Sequence, residues 1–303
     1  MIKTLLCLAP ALGLVARGPA LPTYAARAGV APMAMRTSVI GGNWKMNPTS
    51  LADAKELATV VAAETADMPG EAIIFPPRGA RVPGARPRPP AHSTRRFPFI
   101  GAVSEIIKDT KLHLGAQSCF FEDSGAYTGA VAASMVKSMG VTYILTGHSE
   151  RRSLFMDDDT AVNKKTLKVL ESGMIPVLCI GETKDEYDAG LCESVCAIQL
   201  AKDLAGVSAE DMKKIVIAYE PVWAIGTGLV CPSDKAQEVH KFIRSKLASM
   251  YDEATADAVR IQYGGSVTPD SVDELMSMPD IDGCLVGGAS LVGDKFARIL
   301  NYK

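Results

Sequence analysis

The chain has 303 residues, 48% hydrophobic, 22% charged and 6% aromatic, with a formal net charge of −2. That composition supports a globular body with a full core and excludes disorder, a collagen-like fibre and a disulfide-stapled miniprotein. Outside the extreme N-terminus no apolar run reaches the ~18 residues of a membrane helix, which excludes a polytopic membrane protein.

In chain order, a basic leader comes first. Residues 1–38 carry Lys3, Arg17, Arg27 and Arg36 and no acid; Met1-Ile2-Lys3 precedes a short apolar run, and an Ala, Arg, Gly and Pro-rich stretch follows. This reads as a targeting leader, signal-like and then transit-like, outside the fold. It resembles the two-part leaders of complex plastids, so the expected location is the plastid stroma; a secretory signal, a mitochondrial presequence or a cytoplasmic protein are the alternatives. Seven cysteines, odd in number and without paired zinc spacing, favour a reducing compartment. Cys192 and Cys196, one helical turn apart, read as a buried stripe rather than a ligand pair.

From residue 38 the chain alternates between two kinds of segment. Apolar, strand-like runs fall at 38–44, 71–75, 112–117, 141–147, 175–181, 214–220, 259–264 and 283–288. Helix-period segments fall at 51–64, 102–108, 131–139, 159–171, 192–204, 234–251, 269–276 and 295–301. Eight strand-helix units with near-continuous apolar strands predict an α/β fold, a (β/α)8 TIM barrel of eight parallel strands in one domain, residues 39–303. A doubly wound open sheet is the alternative, but the glycine-rich dinucleotide turn is missing after the first strand.

Chemistry in such barrels lies at the carboxyl ends of the strands. There the first strand places Asn43 and Lys45, two apart in what reads as an extended segment, so both are expected on one face. Lys45 suits an anionic, phosphorylated substrate. The fourth strand leads to His148, with Ser149 placed to cap a short helix or turn; the positive end of a helix keeps such a ring neutral. Cys179 and Glu182 end the fifth strand. Glu220 ends the sixth after an apolar run, where partial desolvation suits a general base. The apolar, glycine-bearing run Pro221-Val222-Trp223-Ala224-Ile225-Gly226-Thr227-Gly228 then reads as a lid that excludes water. Gly264-Gly265-Ser266 and Gly287-Gly288 offer backbone N–H groups to a phosphate after the last two strands.

Five runs carry a resemblance: Gly-Asn-Trp-Lys-Met-Asn at 42–47, Gly-His-Ser-Glu-Arg-Arg at 147–152, Ala-Tyr-Glu-Pro-Val-Trp-Ala-Ile-Gly-Thr-Gly at 218–228, Tyr-Gly-Gly-Ser-Val at 263–267 and Leu-Val-Gly-Gly-Ala-Ser-Leu at 285–291. From about residue 38 onward the sequence resembles the triosephosphate isomerase family. The resemblance implies an isomerase that interconverts dihydroxyacetone phosphate and D-glyceraldehyde 3-phosphate through an enediolate. Glu220 is then the base and neutral His148 the electrophile, roles established for that family rather than deduced from spacing. It further implies that Lys45 and Asn43 stabilise the enediolate and that Glu150 positions Lys45. Gly226, Ser266, Gly287 and Gly288 hold the phosphate, and no metal or organic cofactor is required. The pathways implied are glycolysis, gluconeogenesis or the Calvin cycle. The expected assembly is a homodimer through residues 117–129, from Gln117 to Gly129. Thr128 reaches the partner, and Cys119-Phe120-Phe121 would form an exposed patch on a monomer.

Three departures stand out. Ala130 occupies a position that is often acidic in the family, and Leu229-Val230-Cys231 replaces the commoner Lys-bearing end of the lid. Residues 78–96 carry four Pro, two Gly and six Arg; joining Pro77 to Phe97 would restore an ordinary loop. The stretch is either a genuine insertion or, the preferred reading, an intron retained in the gene model. A nucleic-acid arm is disfavoured because aromatics are lacking, and the mature form is expected to bind neither nucleic acid nor membrane. Another phosphosugar isomerase on the same barrel and a non-catalytic barrel are the remaining alternatives; the intact Asn43, Lys45, His148 and Glu220 argue against the latter.

Overall fold

The structure is a computed structural model that describes residues 36–65, 68–77 and 99–303. The leader up to residue 35 and the 78–96 stretch lie outside the described residues. The folded unit runs from Arg36 to Lys303.

Eight parallel strands build it: β1 Val39–Asn43, β2 Glu71–Phe75, β3 Leu112–Ala116, β4 Tyr143–Thr146, β5 Ile175–Ile180, β6 Val216–Tyr219, β7 Arg260–Tyr263 and β8 Gly283–Val286. They pair in sequence order, and β8 closes on β1 with Val39 opposite Gly283 and Gly42 opposite Val286. The expected barrel is present; the open sheet is not.

Alternating side chains fill the two sides of this wall. Ile73, Phe75, Tyr143, Leu145, Val177, Cys179, Val216 and Ala218 form one cluster inside the barrel. Their neighbours Ile74, Ile144, Leu178, Ile217 and Ile261 belong to a second cluster between barrel and helices. Both faces are dry, so the strands read as unbroken apolar runs. The interior is tight: a Cβ on Gly115 would lie 2.2 Å from the Phe75 ring.

Helices Leu51–Ala63, Ile100–Ile107, Ala133–Lys137, Asp159–Glu171, Cys192–Asp203, Ser233–Met250, Val272–Met276 and Gly293–Leu300 follow the strands in turn. Side chains set some starts: Ser50 accepts from the Asp53 N–H and Asp158 from the Ala161 N–H. The segment expected to start at 269 starts at Val272, because Thr268 and Ser271 bond each other in a turn ahead of it. Four short helices, Ser149–Phe155, Lys184–Asp188, Ala209–Met212 and Glu253–Ala258, are additional to the eight units. Among the described residues no helix is long and apolar enough to cross a membrane.

The amino-terminal ends of the strands carry ion pairs. Arg260 meets Glu71 at 2.7 Å, and Asp282 receives Arg36 at 2.5 Å and Arg244 at 2.7 Å. This end of a barrel serves stability, leaving the other for chemistry.

His240, in Ser233–Met250, is fully buried with its edge against Tyr219, and its Nδ1 lies 3.2 Å from the Asp280 carbonyl. Burial pushes its pKa down from 6.5 to about 3, the nearby Arg244 adding to the effect. The unfolded chain therefore takes up a proton on this ring below about pH 6.5, whereas the folded chain does not until about pH 3. Stability from this group is complete above the upper value and falls with pH through the window, by about 1.4 kcal/mol per unit. His240→Gln is expected to flatten the fall of the urea midpoint between about pH 6.5 and 4. An unchanged slope would contradict this.

Candidate active site

Asn43 closes β1, His148 follows β4, and Glu220 follows β6. Barrel geometry brings these three into one cavity of about 810 Å³, together with Lys45, Gly226, Ser266, Gly287 and Gly288. Asn43, His148 and Glu220 are at most 5% exposed.

Glu220 is held by both its backbone and its carboxylate. Its N–H donates to the Ile180 carbonyl at 2.7 Å. Its own carbonyl passes so close to Gly181 that a Cβ there would lie 1.8 Å away, which is why a glycine follows β5. Its Oε2 accepts from the Ser149 N–H at 2.9 Å, and its Oε1 lies 3.0 Å from His148 Nε2. The Asn43 amide nitrogen is 3.1 Å from the same Nε2.

His148 corrects one expectation. The helix Ser149–Phe155 is capped by His148 itself and not by Ser149: Nδ1 accepts from the Glu150 N–H at 3.2 Å. An accepting Nδ1 leaves the proton of the neutral ring on Nε2, the nitrogen that faces Glu220.

Lys45 corrects another. It is not extended but left-handed, at φ 52°, beyond the end of β1. The turn is held from both sides, by the Lys45 N–H donating to Asn43 Oδ1 at 3.0 Å and by Gln117 Nε2 donating to the Lys45 carbonyl at 2.7 Å. A strained backbone overdetermined in this way marks a position set for function. The Lys45 ammonium meets Glu150 Oε1 at 2.9 Å. Gln117 also donates to the Phe75 carbonyl at 2.9 Å, a positioning role that no sequence motif announced.

The expected lid divides into an anchored start and an exposed tip. Val222–Ala224 forms a single turn of 3-10 helix in which Trp223 is buried, stacked on Tyr187 at 4.2 Å and donating from Nε1 to Glu182 Oε1 at 2.7 Å. Pro221 and Ala224 are buried, Val222 and Ile225 half-buried, and Gly226, Thr227 and Gly228 exposed. Gly226 and Gly228 have φ of 70° and 82°. Leu229 and Val230 continue the exposed stretch, whereas Cys231 is buried.

Across the cavity, the Ser266 hydroxyl donates to the Ala224 carbonyl at 3.4 Å, and a 3-10 helix Gly288–Leu291 begins at Gly287 and Gly288. N–H groups and the positive end of a turn there suit an anion. Lys295, which the motifs passed over, also lines this wall. Around the cavity no group of three metal-ligating side chains converges among the described residues.

The aromatic loop differs from its expectation. Cys119 is buried, while Phe120 stacks on Phe121 at 4.2 Å and touches Tyr127 at 4.8 Å, so the three residues do not form one open patch. Met46 and Phe155 are exposed apolar residues that line the neighbouring cavity beside this loop.

The sequence profile described as triosephosphate isomerase matches residues 94–303, starting as the Pro/Arg-rich stretch ends. A triosephosphate isomerase of Herpetosiphon aurantiacus is 44% identical over 270 residues, 89% of this chain and 100% of the relative. That of Chlorobium phaeovibrioides is 46% identical over 268 residues, 88% of this chain and 98% of the relative. The chain belongs to the triosephosphate isomerase family. It is an isomerase, and the five runs that carry the family likeness are the ones that line the cavity or fix its walls.

Proposed function

We propose that this isomerase interconverts dihydroxyacetone phosphate and D-glyceraldehyde 3-phosphate through an enediolate. The observation that carries the mechanism is the 3.0 Å approach of Glu220 Oε1 to His148 Nε2 at the floor of a cavity that also holds Lys45. The Glu220 carboxylate removes a carbon-bound proton next to the carbonyl, and the C–H electron pair becomes the second bond of the enediolate. Negative charge moves to the carbonyl oxygen, where the His148 Nε2–H, the Asn43 amide and the Lys45 ammonium meet it. His148 passes protons between the two oxygens, and Glu220 returns its proton to the neighbouring carbon. Glu150 aims Lys45. The backbone at Gly226, Ser266, Gly287 and Gly288 binds the phosphate, and the lid from Pro221 to Gly228 keeps water from the intermediate. A coupled assay in both directions tests the reading; no turnover of either triose phosphate would overturn it.

A homodimer is part of the same proposal. A second cavity of about 510 Å³, lined by Met46, Phe121, Phe155 and Gly129 beside Lys45 and His148, leaves room for a segment of a partner subunit. Exposed Met46, Phe155 and Met156 supply apolar area around it. Light scattering on the eluted protein is expected to give twice the chain mass at micromolar concentration; the mass of one chain would refute the dimer.

The plastid location rests on the leader composition, and a role in carbon fixation rests on that location. The mass of the protein from its native source tests leader removal and the fate of residues 78–96 together. Loss of about 38 N-terminal residues supports the leader, and absence of the 78–96 segment supports the intron reading.

A further inference from the structure

Behind the lid hinge, three ligand groups converge that the isomerase reaction does not use. Glu182 follows β5, and Cys192 and Cys196 lie one turn apart on Cys192–Asp203. One carboxylate oxygen and the two sulfurs all lie within 4.8 Å of one another. Glu182 and Cys196 are fully buried, and Cys192 is half-buried, which opens the group to solvent from one side. Both cysteines also pack with the hydrophobic core, as the one-turn spacing suggested.

The carboxylate carries the argument further. Its Oε1 accepts from Trp223 Nε1 at 2.7 Å and from the Tyr219 hydroxyl at 3.0 Å. Its Oε2 is buried and has no hydrogen-bond partner. An unpartnered carboxylate oxygen in a dry setting is costly unless something cationic meets it. Thiols are weak donors, and the Cys192 sulfur is already paired with the Tyr219 hydroxyl at 3.7 Å. Two sulfurs and one carboxylate oxygen are a ligand set for a soft or borderline divalent ion, not for magnesium or calcium. Ligands around such an ion stand about 3.5 Å apart, so the group needs to contract by little more than an ångström. Binding as thiolates releases the two thiol protons to water, which offsets the two positive charges that the ion brings.

We infer that Glu182, Cys192 and Cys196 form a binding site for a thiophilic divalent cation of the zinc and cadmium class, with a fourth position left to water. Because Oε1 of the same carboxylate holds Trp223, an ion on Oε2 fixes the lid hinge and slows the lid.

Cadmium titrated into the full-length protein supplies the test, read by thiolate-to-metal charge-transfer absorbance and by turnover on the same samples. One equivalent is expected to bind with the absorbance of two thiolates, and turnover is expected to fall several-fold. In Cys192→Ser combined with Cys196→Ala, both effects should disappear while metal-free turnover stays at the wild-type level. Glu182→Gln should bind at least about tenfold more weakly. Equal absorbance in wild type and the double variant would place the metal on other cysteines and overturn the site. Binding through these residues with unchanged turnover would overturn its hold on the lid. Neither result bears on the isomerase reading, which the metal-free rates report.

Discussion

Glu220→Gln is expected to lower kcat by about 10² to 10⁴, the range over which a positioned general base contributes. The substitution keeps the size of the side chain, so it separates proton acceptance from packing. The amide oxygen can still accept from the Ser149 N–H, which Oε2 now meets at 2.9 Å, and the close pass of the Glu220 carbonyl by Gly181 is untouched. An amide cannot take a proton from carbon, so the fold and substrate affinity should survive while turnover collapses. Glu220→Asp is the informative companion. It withdraws the carboxylate by about one bond length, and a misplacement on the order of 1 Å is enough to cost about 10² in rate. A Gln variant within tenfold of wild type would remove Glu220 from the mechanism.

Replacing Lys45 by Met should lower kcat/KM by about 10² to 10³, comparable to deleting one preorganised donor from a site of developing charge. Methionine has a similar length and can occupy the same left-handed backbone, which is fixed by Asn43 and Gln117 and not by the lysine side chain. What disappears is the ammonium that meets Glu150 at 2.9 Å, leaving the Glu150 carboxylate unopposed beside an anionic substrate. The loss should appear in both KM and kcat, because in the proposed mechanism the ammonium attracts the anionic substrate and meets the charge on the enediolate oxygen. An effect below about threefold on both would show that the phosphate loops alone provide the positive field.

The barrel was legible because its strands are buried on both faces; eight apolar runs survive in the sequence without any alternation to decode. The placement of Asn43, His148 and Glu220 followed from the same logic, since each stands just where an apolar run stops. Short elements were less visible. Lys184–Asp188 and Ala209–Met212 are about one turn each, too brief to show a period, although the Thr183 and Glu186 capping box marks the first. The left-handed turn at Lys45 was hidden because a lysine gives no sign of positive φ, and one of the two side chains that hold it, Gln117, lies 72 residues away. His148 as its own helix cap was missed because histidine is not among the usual capping residues. The burial of Cys119 and the mutual packing of Phe120 and Phe121 depend on tertiary contacts that spacing does not encode.

Closure of the wall between β8 and β1 also governs how the molecule is made. Val39 waits for Gly283, and the Ser38 hydroxyl for that of Tyr302, 264 residues further on. Until nearly the whole chain has left the ribosome, the growing sheet has two raw edges, and each is a template for pairing with another chain. Chains truncated before Gly283 should therefore accumulate as aggregates instead of as smaller soluble proteins, and the last of the strands acts as the latch on a process begun at the first.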